Sequence, residues 1–274
     1  MKYRFLRFPG FKTKALTFSY DDGSLTDKNV LEILNKYNMK GTFNIDGACI
    51  HGNGRGLSKD ELKTIYKGHE VAIHGYDHKA LINSSLIDGI KEVLNGREEL
   101  ENFYGNIIRG FAYPDRCATT PEIMSYLKAL NIAYARTAGG ENGSFNLPDE
   151  WLCWLPTAKH TDPKLMEYAD KFITEDPRKK YFATMDPMLF YVWGHSSELD
   201  GKWDILETLC SLLSKDENIW YATNMEIYEY VCAYNSLVFN VSNTLCYNPT
   251  LHTVYFETEN ISYKVAPGET IEIK

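Results

Sequence analysis

Apolar residues in this chain follow two alternating rhythms. Short runs rich in β-branched and aromatic residues, ALTFSY, GTFNI, EVAIH, IIRGFAY, IAYART, LFYVWGH and IWYATN, read as strands. Between them lie KNVLEILNKY, SKDELKTIY, SLIDGIKEVLNGREELENF, TPEIMSYLKAL, DPKLMEYADKFI, DILETLCSLL and MEIYEYVCA, with apolar residues three and four apart, as in amphipathic helices. Helix starts are marked chemically. Ser58 with Glu61 three residues on predicts a capping box, and Thr120-Pro121 and Asp162-Pro163 each set a capping side chain before a proline at the first helical position. Roughly seven β-then-α units in series predict a parallel α/β architecture, either a distorted (β/α) barrel or a doubly wound open sheet. No glycine-rich phosphate fingerprint follows the first strand, which speaks against dinucleotide binding. After Ala233 the helical rhythm stops. SLVFNVSN, TVYFETEN, ISYKVA and TIEIK predict a small antiparallel β appendage over 234–274, packed on a main domain of residues 1–233 and structural in role.

Composition narrows the picture. A chain of 274 residues, 44% hydrophobic and 14% aromatic, can bury a substantial core. Its 29 basic and 37 acidic residues leave a net charge of −8, which argues against nucleic acid and anionic membranes as partners. Six cysteines are scattered without C-x-x-C spacing, so buried free thiols are expected. The N-terminal MKYRFLRFPGFKTK lacks an apolar stretch long enough for a signal peptide, and the expectation is a cytoplasmic protein.

The chemistry begins where the first apolar run stops. In LTFSYDDGSLTD, Asp21 and Asp22 stand side by side at a predicted C-terminal strand end, where ligands gather in α/β folds. Adjacent carboxylates repel and call for a cation, a metal or water. EVAIHGYDHKAL ends another strand at His74 and repeats histidine at His78. With Asp22 they form a two-histidine, one-carboxylate set that leaves coordination positions open, as catalytic metals require. Such a set suits Zn²⁺ foremost, with Co²⁺, Ni²⁺ or Fe²⁺ as alternatives. His195, ending LFYVWGH, is placed to act as a general acid toward a leaving amine. Arg136 ends a strand as a charge where the core should be, a candidate either to contact substrate or to bridge carboxylates. His160 is a candidate to line the cleft. The glycine-rich stretch from His51 to Gly56 lacks the G-K-S/T of a phosphate cradle and reads as a loop.

Taken together and in order, S-Y-D-D-G, H-G-Y-D-H, R-G-F-A-Y-P and W-G-H resemble the motifs of the polysaccharide deacetylases, the NodB-homology, carbohydrate esterase family 4 group. The resemblance covers about residues 10 to 232 and implies a distorted (β/α)7 barrel and a metal-dependent hydrolase that removes N-acetyl groups from sugars or polysaccharide. Amide hydrolysis on a smaller, non-carbohydrate substrate and silent sugar binding are the alternatives. The resemblance implies Asp21 as catalytic base, Asp22, His74 and His78 as metal ligands, His195 as general acid, and Trp193 as the apolar wall against the acetyl methyl group. It also implies an arginine that orients the base, for which Arg109 and Arg116 are candidates. Ala112 occupies that place if Pro114 aligns with the motif proline, and Phe111 replaces the proline if Arg109 is itself the motif arginine. Backbone from Tyr113 through Pro114 to Asp115 is the expected oxyanion donor. No clear fourth motif is present; PDEWLCWLPTAKHTD supplies Asp149, Trp151, Trp154, His160 and Asp162 as candidates.

Overall fold

A computed structural model describes residues 3–52, 56–115, 119–181 and 185–274. The strands are β1 (Arg4–Arg7), β2 (Lys14–Asp21), β3 (Gly41–Ile45), β4 (Glu70–Ile73), β5 (Gly110–Ala112), β6 (Tyr134–Arg136), β7 (Ala158–Lys159), β8 (Met188–Gly194), β9 (Ile219–Tyr221), β10 (Val238–Phe239), β11 (Leu245–Tyr247), β12 (Val254–Thr258), β13 (Ile261–Val265) and β14 (Thr270–Glu272). The helices are α1 (Asp27–Lys36), α2 (Lys59–Ile65), α3 (Leu86–Tyr104), α4 (Pro121–Ala129), α5 (Leu165–Thr174), α6 (Trp203–Leu213) and α7 (Asn224–Asn235). Seven strands run in the order β6-β5-β4-β3-β2-β8-β7, all parallel, with β9 laid against β2 as well. This is the curled parallel sheet of a distorted (β/α)7 barrel.

Strand periodicity decides what faces where. In β2 every residue is buried. Leu16, Phe18 and Tyr20 pack into the large cluster that includes α1 and α6, whereas Ala15 joins a second cluster with Leu189, Tyr191 and Tyr134. Thr17, Ser19 and Asp21 share the face of Ala15 because side chains alternate along a strand. That second face is partly polar, and its groups satisfy one another: Thr17 donates to Asn224 Oδ1 at 2.9 Å, and Asn44 Nδ2 donates to Ser19 Oγ at 2.8 Å. A buried polar row of this kind is tolerated only because it is hydrogen-bonded.

Of the three helix starts marked in the sequence, two are capped as expected. The Ser58–Glu61 capping box forms, and the Thr120 side chain accepts from the Ile123 N–H with Pro121 in the first turn. Asp162 instead accepts from the Lys164 N–H at 2.8 Å in a tight turn, and α5 begins two residues after Pro163. The five described cysteines are free thiols, and Cys117 lies outside the described residues. Among the described residues no helix is long and apolar enough to cross a membrane.

The C-terminal strands form two three-stranded antiparallel sheets. One of them, β1-β12-β13, recruits the N-terminal strand, which is tied to the tail by the Arg7–Glu257 ion pair at 2.8 Å. The Tyr230 hydroxyl of α7 stitches the joint, donating to the Arg7 carbonyl and accepting from the Tyr255 N–H.

Candidate active site

An open cleft of about 460 Å³ lies at the C-terminal strand ends, lined by Asp21, His74, His78, Tyr113, Asp115, Glu141, Lys159, Trp193 and His195 among others. Among the described residues, the hollow lined by His69 and Glu70 and the one beside Asp149 and Asp186 hold no comparable group of histidines and carboxylates.

Asp21 is the last residue of β2, and Asp22 turns out of the strand at φ +85°. That left-handed conformation, uncommon outside glycine and tolerated best by Asp, Asn and His, turns Asp22 out of the strand, while both carboxylates stay near His74, whose Nε2 is 3.8 Å from Asp21 Oδ2 as well as from Asp22 Oδ1. Asp21, 2% exposed, stays on the polar face of the sheet. Its Oδ1 accepts from Asn44 Nδ2 at 2.8 Å and its Oδ2 accepts from Arg136 Nη2. Burial pushes the Asp21 carboxyl up, but Arg136, His74, His195 and the Asn44 amide outweigh it and hold the carboxyl below its ordinary range.

Asp22 faces the histidines. Its Oδ1 lies 3.8 Å from His74 Nε2 and 3.5 Å from His78 Nε2. One ligand atom from each of Asp22, His74 and His78 falls within 4.8 Å of the others. His74 Nδ1 sits 2.9 Å from the Ala112 carbonyl, which can only accept, so that nitrogen carries the proton and the Nε2 lone pair points at the carboxylates. His78 Nδ1 has Asp115 Oδ1 at 3.6 Å behind it. Two imidazole nitrogens and one carboxylate oxygen, with outer partners fixing one tautomer, fit a borderline divalent cation such as Zn²⁺.

His195 closes the group from β8. Its Nε2 is 4.0 Å from Asp21 Oδ2 and 3.9 Å from Asp22 Oδ2, and its Nδ1 is 3.6 Å from Glu198 Oε2. Glu198 also takes Lys159 Nζ at 2.6 Å and His160 Nε2 at 3.0 Å. Burial would raise the Glu198 carboxyl, yet these bonds and the His195 N–H hold it well below its ordinary range. Glu198 was not anticipated from the sequence, although its place three residues after His195, in H-S-S-E, is a legible capping pattern.

Several expectations shift. Arg109 sits at the opposite, N-terminal end of β5, where it bonds to the backbone and side-chain oxygens of Asn131 at 3.0 Å. Arg116 lies outside the described residues, as do Asn53, Gly54 and Arg55 of the glycine-rich loop. The cation beside Asp21 is Arg136, 1% exposed, whose guanidinium also lies 4.5 Å over the Trp193 ring. His160 does not line the cleft. It is buried beneath Gly194, where a Cβ would approach its ring to 2.5 Å, and it bonds Glu198 behind His195. The Tyr113 N–H, expected as an oxyanion donor, instead donates to the Arg136 carbonyl at 3.0 Å, and Pro114 has no N–H to give. Pro114 is buried outside the cleft lining, and the Tyr113 hydroxyl is spent on the Leu152 carbonyl. Trp154 packs among Tyr134, Tyr191 and Trp151, out of a sugar's reach. Trp193 does line the cleft, its indole N–H donating to Glu141 Oε1 at 2.7 Å.

A sequence model of the family described as polysaccharide deacetylase matches residues 9–135, which contain Asp21, Asp22, His74 and His78. This segment belongs to the polysaccharide deacetylase family. Its curated relatives include the peptidoglycan-N-acetylglucosamine deacetylase PgdA of Listeria monocytogenes, 35% identical over 89 residues, which are 31% of this chain and 18% of that protein. The match thus spans under a fifth of that relative's length. Among solved structures, a Mycobacterium smegmatis protein assigned as a polysaccharide deacetylase aligns with a TM-score of 0.62 and 19% identity, covering 86% of this chain and 96% of the other. A family 4 acetyl xylan esterase from Clostridium thermocellum, solved with a cobalt ion, aligns with a TM-score of 0.51 and 18% identity over 78% of this chain and 90% of that one. These likenesses show the fold over more of the chain than the matched segment covers.

Proposed function

We propose that this deacetylase-family chain is a metal-dependent hydrolase that removes N-acetyl groups from N-acetylated sugars. The observation that carries the reading is the division of labour between neighbouring aspartates. Asp22 faces His74 and His78, while Asp21, one residue earlier, is held ionised by Arg136 and Asn44 on the edge of the same cleft. Asp22, His74 and His78 would hold the ion. A divalent cation there supplies Lewis acidity, which acidifies water and polarises a carbonyl.

The chain's own groups do the rest. Asp21 takes a proton from the attacking water as its oxygen bonds to the acetamide carbonyl carbon. A backbone N–H at the rim of the cleft would serve the oxyanion that develops on the carbonyl oxygen. His195, backed by Glu198, gives its proton to the nitrogen as the C–N bond breaks, releasing acetate and an amine. Trp193, fixed between Arg136 and Glu141, walls the acyl end. The name of the Listeria relative favours N-acetylglucosamine in a polymer as substrate, and the cobalt ion of the Clostridium relative favours a transition metal. The test is acetate release from N-acetylglucosamine oligomers, and from small acetamides, before and after chelation. Activity lost on chelation and restored by Zn²⁺ or Co²⁺ supports the reading. Chelation-resistant hydrolysis, or none on any N-acetyl substrate, rejects it.

A further inference from the structure

Three residues separate His74 from His78, and the connection is sharp: Gly75 has φ +88° and His78 φ +58°. Something must hold so contorted a loop if both imidazoles are to meet one ion. The holding group comes from α3. Glu92, 4% exposed, turns its carboxylate onto the loop, and its Oε1 accepts the N–H groups of Tyr76 at 2.9 Å, Asp77 at 2.8 Å and Lys79 at 3.0 Å. The Gly47 and Ala48 N–H groups also donate to the Gly75 and Tyr76 carbonyls at 3.0 Å. The helix reaches this close only because it presents glycine. A Cβ on Gly96 would lie 2.3 Å from the Gly75 carbonyl oxygen.

We propose that Glu92 is a positioning residue for the metal centre, its carboxylate fixing the loop that sets His78 against His74 and Asp22. The inference rests on the metal reading given above. Three N–H groups converging on one carboxylate oxygen form a charge-assisted cluster stronger than neutral backbone bonds. Groups one layer behind metal ligands typically change affinity by about 10- to 100-fold when removed. A role in helix packing alone would lower stability and leave metal affinity where it was.

The experiment compares Zn²⁺ affinity by chelator competition, the Co²⁺ absorption spectrum and the metal-free Tm of the full chain and its variants. Glu92→Ala is expected to weaken Zn²⁺ by about 10-fold or more and to alter the Co²⁺ bands. Glu92→Gln keeps an accepting oxygen and should recover most of the affinity. Arg97→Ala breaks the Arg97–Glu101 pair on the same helix and should lower Tm with Zn²⁺ affinity unchanged. Equal Zn²⁺ affinity in Glu92→Ala and the parent overturns the proposal. Should Glu92→Ala fail to fold, Gly96→Ala, which pushes the loop from behind with Glu92 in place, must weaken Zn²⁺ or the proposal falls. A parent chain that takes up neither Zn²⁺ nor Co²⁺ defeats the metal reading itself, a different result from an unaffected variant.

Discussion

Asp21 and Asp22 show how one backbone dihedral can give two adjacent, identical side chains different partners: Arg136 and Asn44 for the first, His78 for the second. Extended geometry keeps Asp21 beside Ser19 and Thr17, and the left-handed turn at Asp22 swings the next carboxylate to the histidines. Asp21→Asn should keep metal binding and cut hydrolysis by about 10²- to 10⁴-fold, read by Zn²⁺ titration beside acetate release. Arg136→Met strands the Asp21 carboxylate, which is 3% exposed, and should cost about 3–5 kcal/mol in metal-free urea unfolding. Adding Asp21→Asn to that variant should return part of the loss. Asp27, buried under the site, bonds the hydroxyls of Tyr66 and Ser196. Burial is the main force pushing its carboxyl up from 3.8 to about 7, with Asp22 and Asp21 adding to it. Between those values the folded state holds a proton that the unfolded state has released, so this group's contribution to stability falls as pH rises through the window. Asp27→Asn should therefore gain Tm relative to the parent as pH rises from 5 to 8. A constant difference in Tm would refute the assignment.

Helices with clear periodicity and a written cap were legible, because capping is a local contract between a side chain and nearby N–H groups. The Ser58–Glu61 box is such a case, and Ser58→Ala should cost about 1 kcal/mol in thermal or urea unfolding, with no change in metal affinity. Asp162-Pro163 carries a similar signature but serves a turn, since a local motif does not say how many residues the chain must travel before the next helix can pack. β7 escaped the sequence pattern because it is two residues long, too short to show alternation. It matters all the same: Lys159 lies on it, and Lys159 and His160 converge on Glu198. Glu141 sits in the connection after β6, where nothing in composition distinguishes a carboxylate that meets Trp193 from one that meets water.

The tail and the N-terminus stabilise one another across the length of the chain. Arg7 is fully buried, bonded to Glu257 and to the Leu6 and Met185 carbonyls, and Phe256, paired with Leu6 of β1, is wholly covered. Removing residues 234–274 should thus leave β1 without its partner strand and lower the Tm of the barrel by several degrees or more, measured by calorimetry against the full chain. An unchanged Tm would make the tail an independent passenger. The sequence pattern marked the tail as β structure. It did not reveal that the partner strand lies some 250 residues away, because strand pairing is a matter of proximity in space.

By itself the sequence specified the β/α alternation, the strand ends at which charge accumulates, and the Asp-Asp and His-x-x-x-His spacings that mark the family. All of these are carried by neighbours a few residues apart, where periodicity and local hydrogen bonding act. Tertiary structure alone selected Arg136 over Arg109 as the cation on Asp21, put Glu198 behind His195, and sank Glu92 under the histidine loop. Those choices depend on which strand lies beside which, and on burial, which turns an ordinary polar side chain into one that must find a partner.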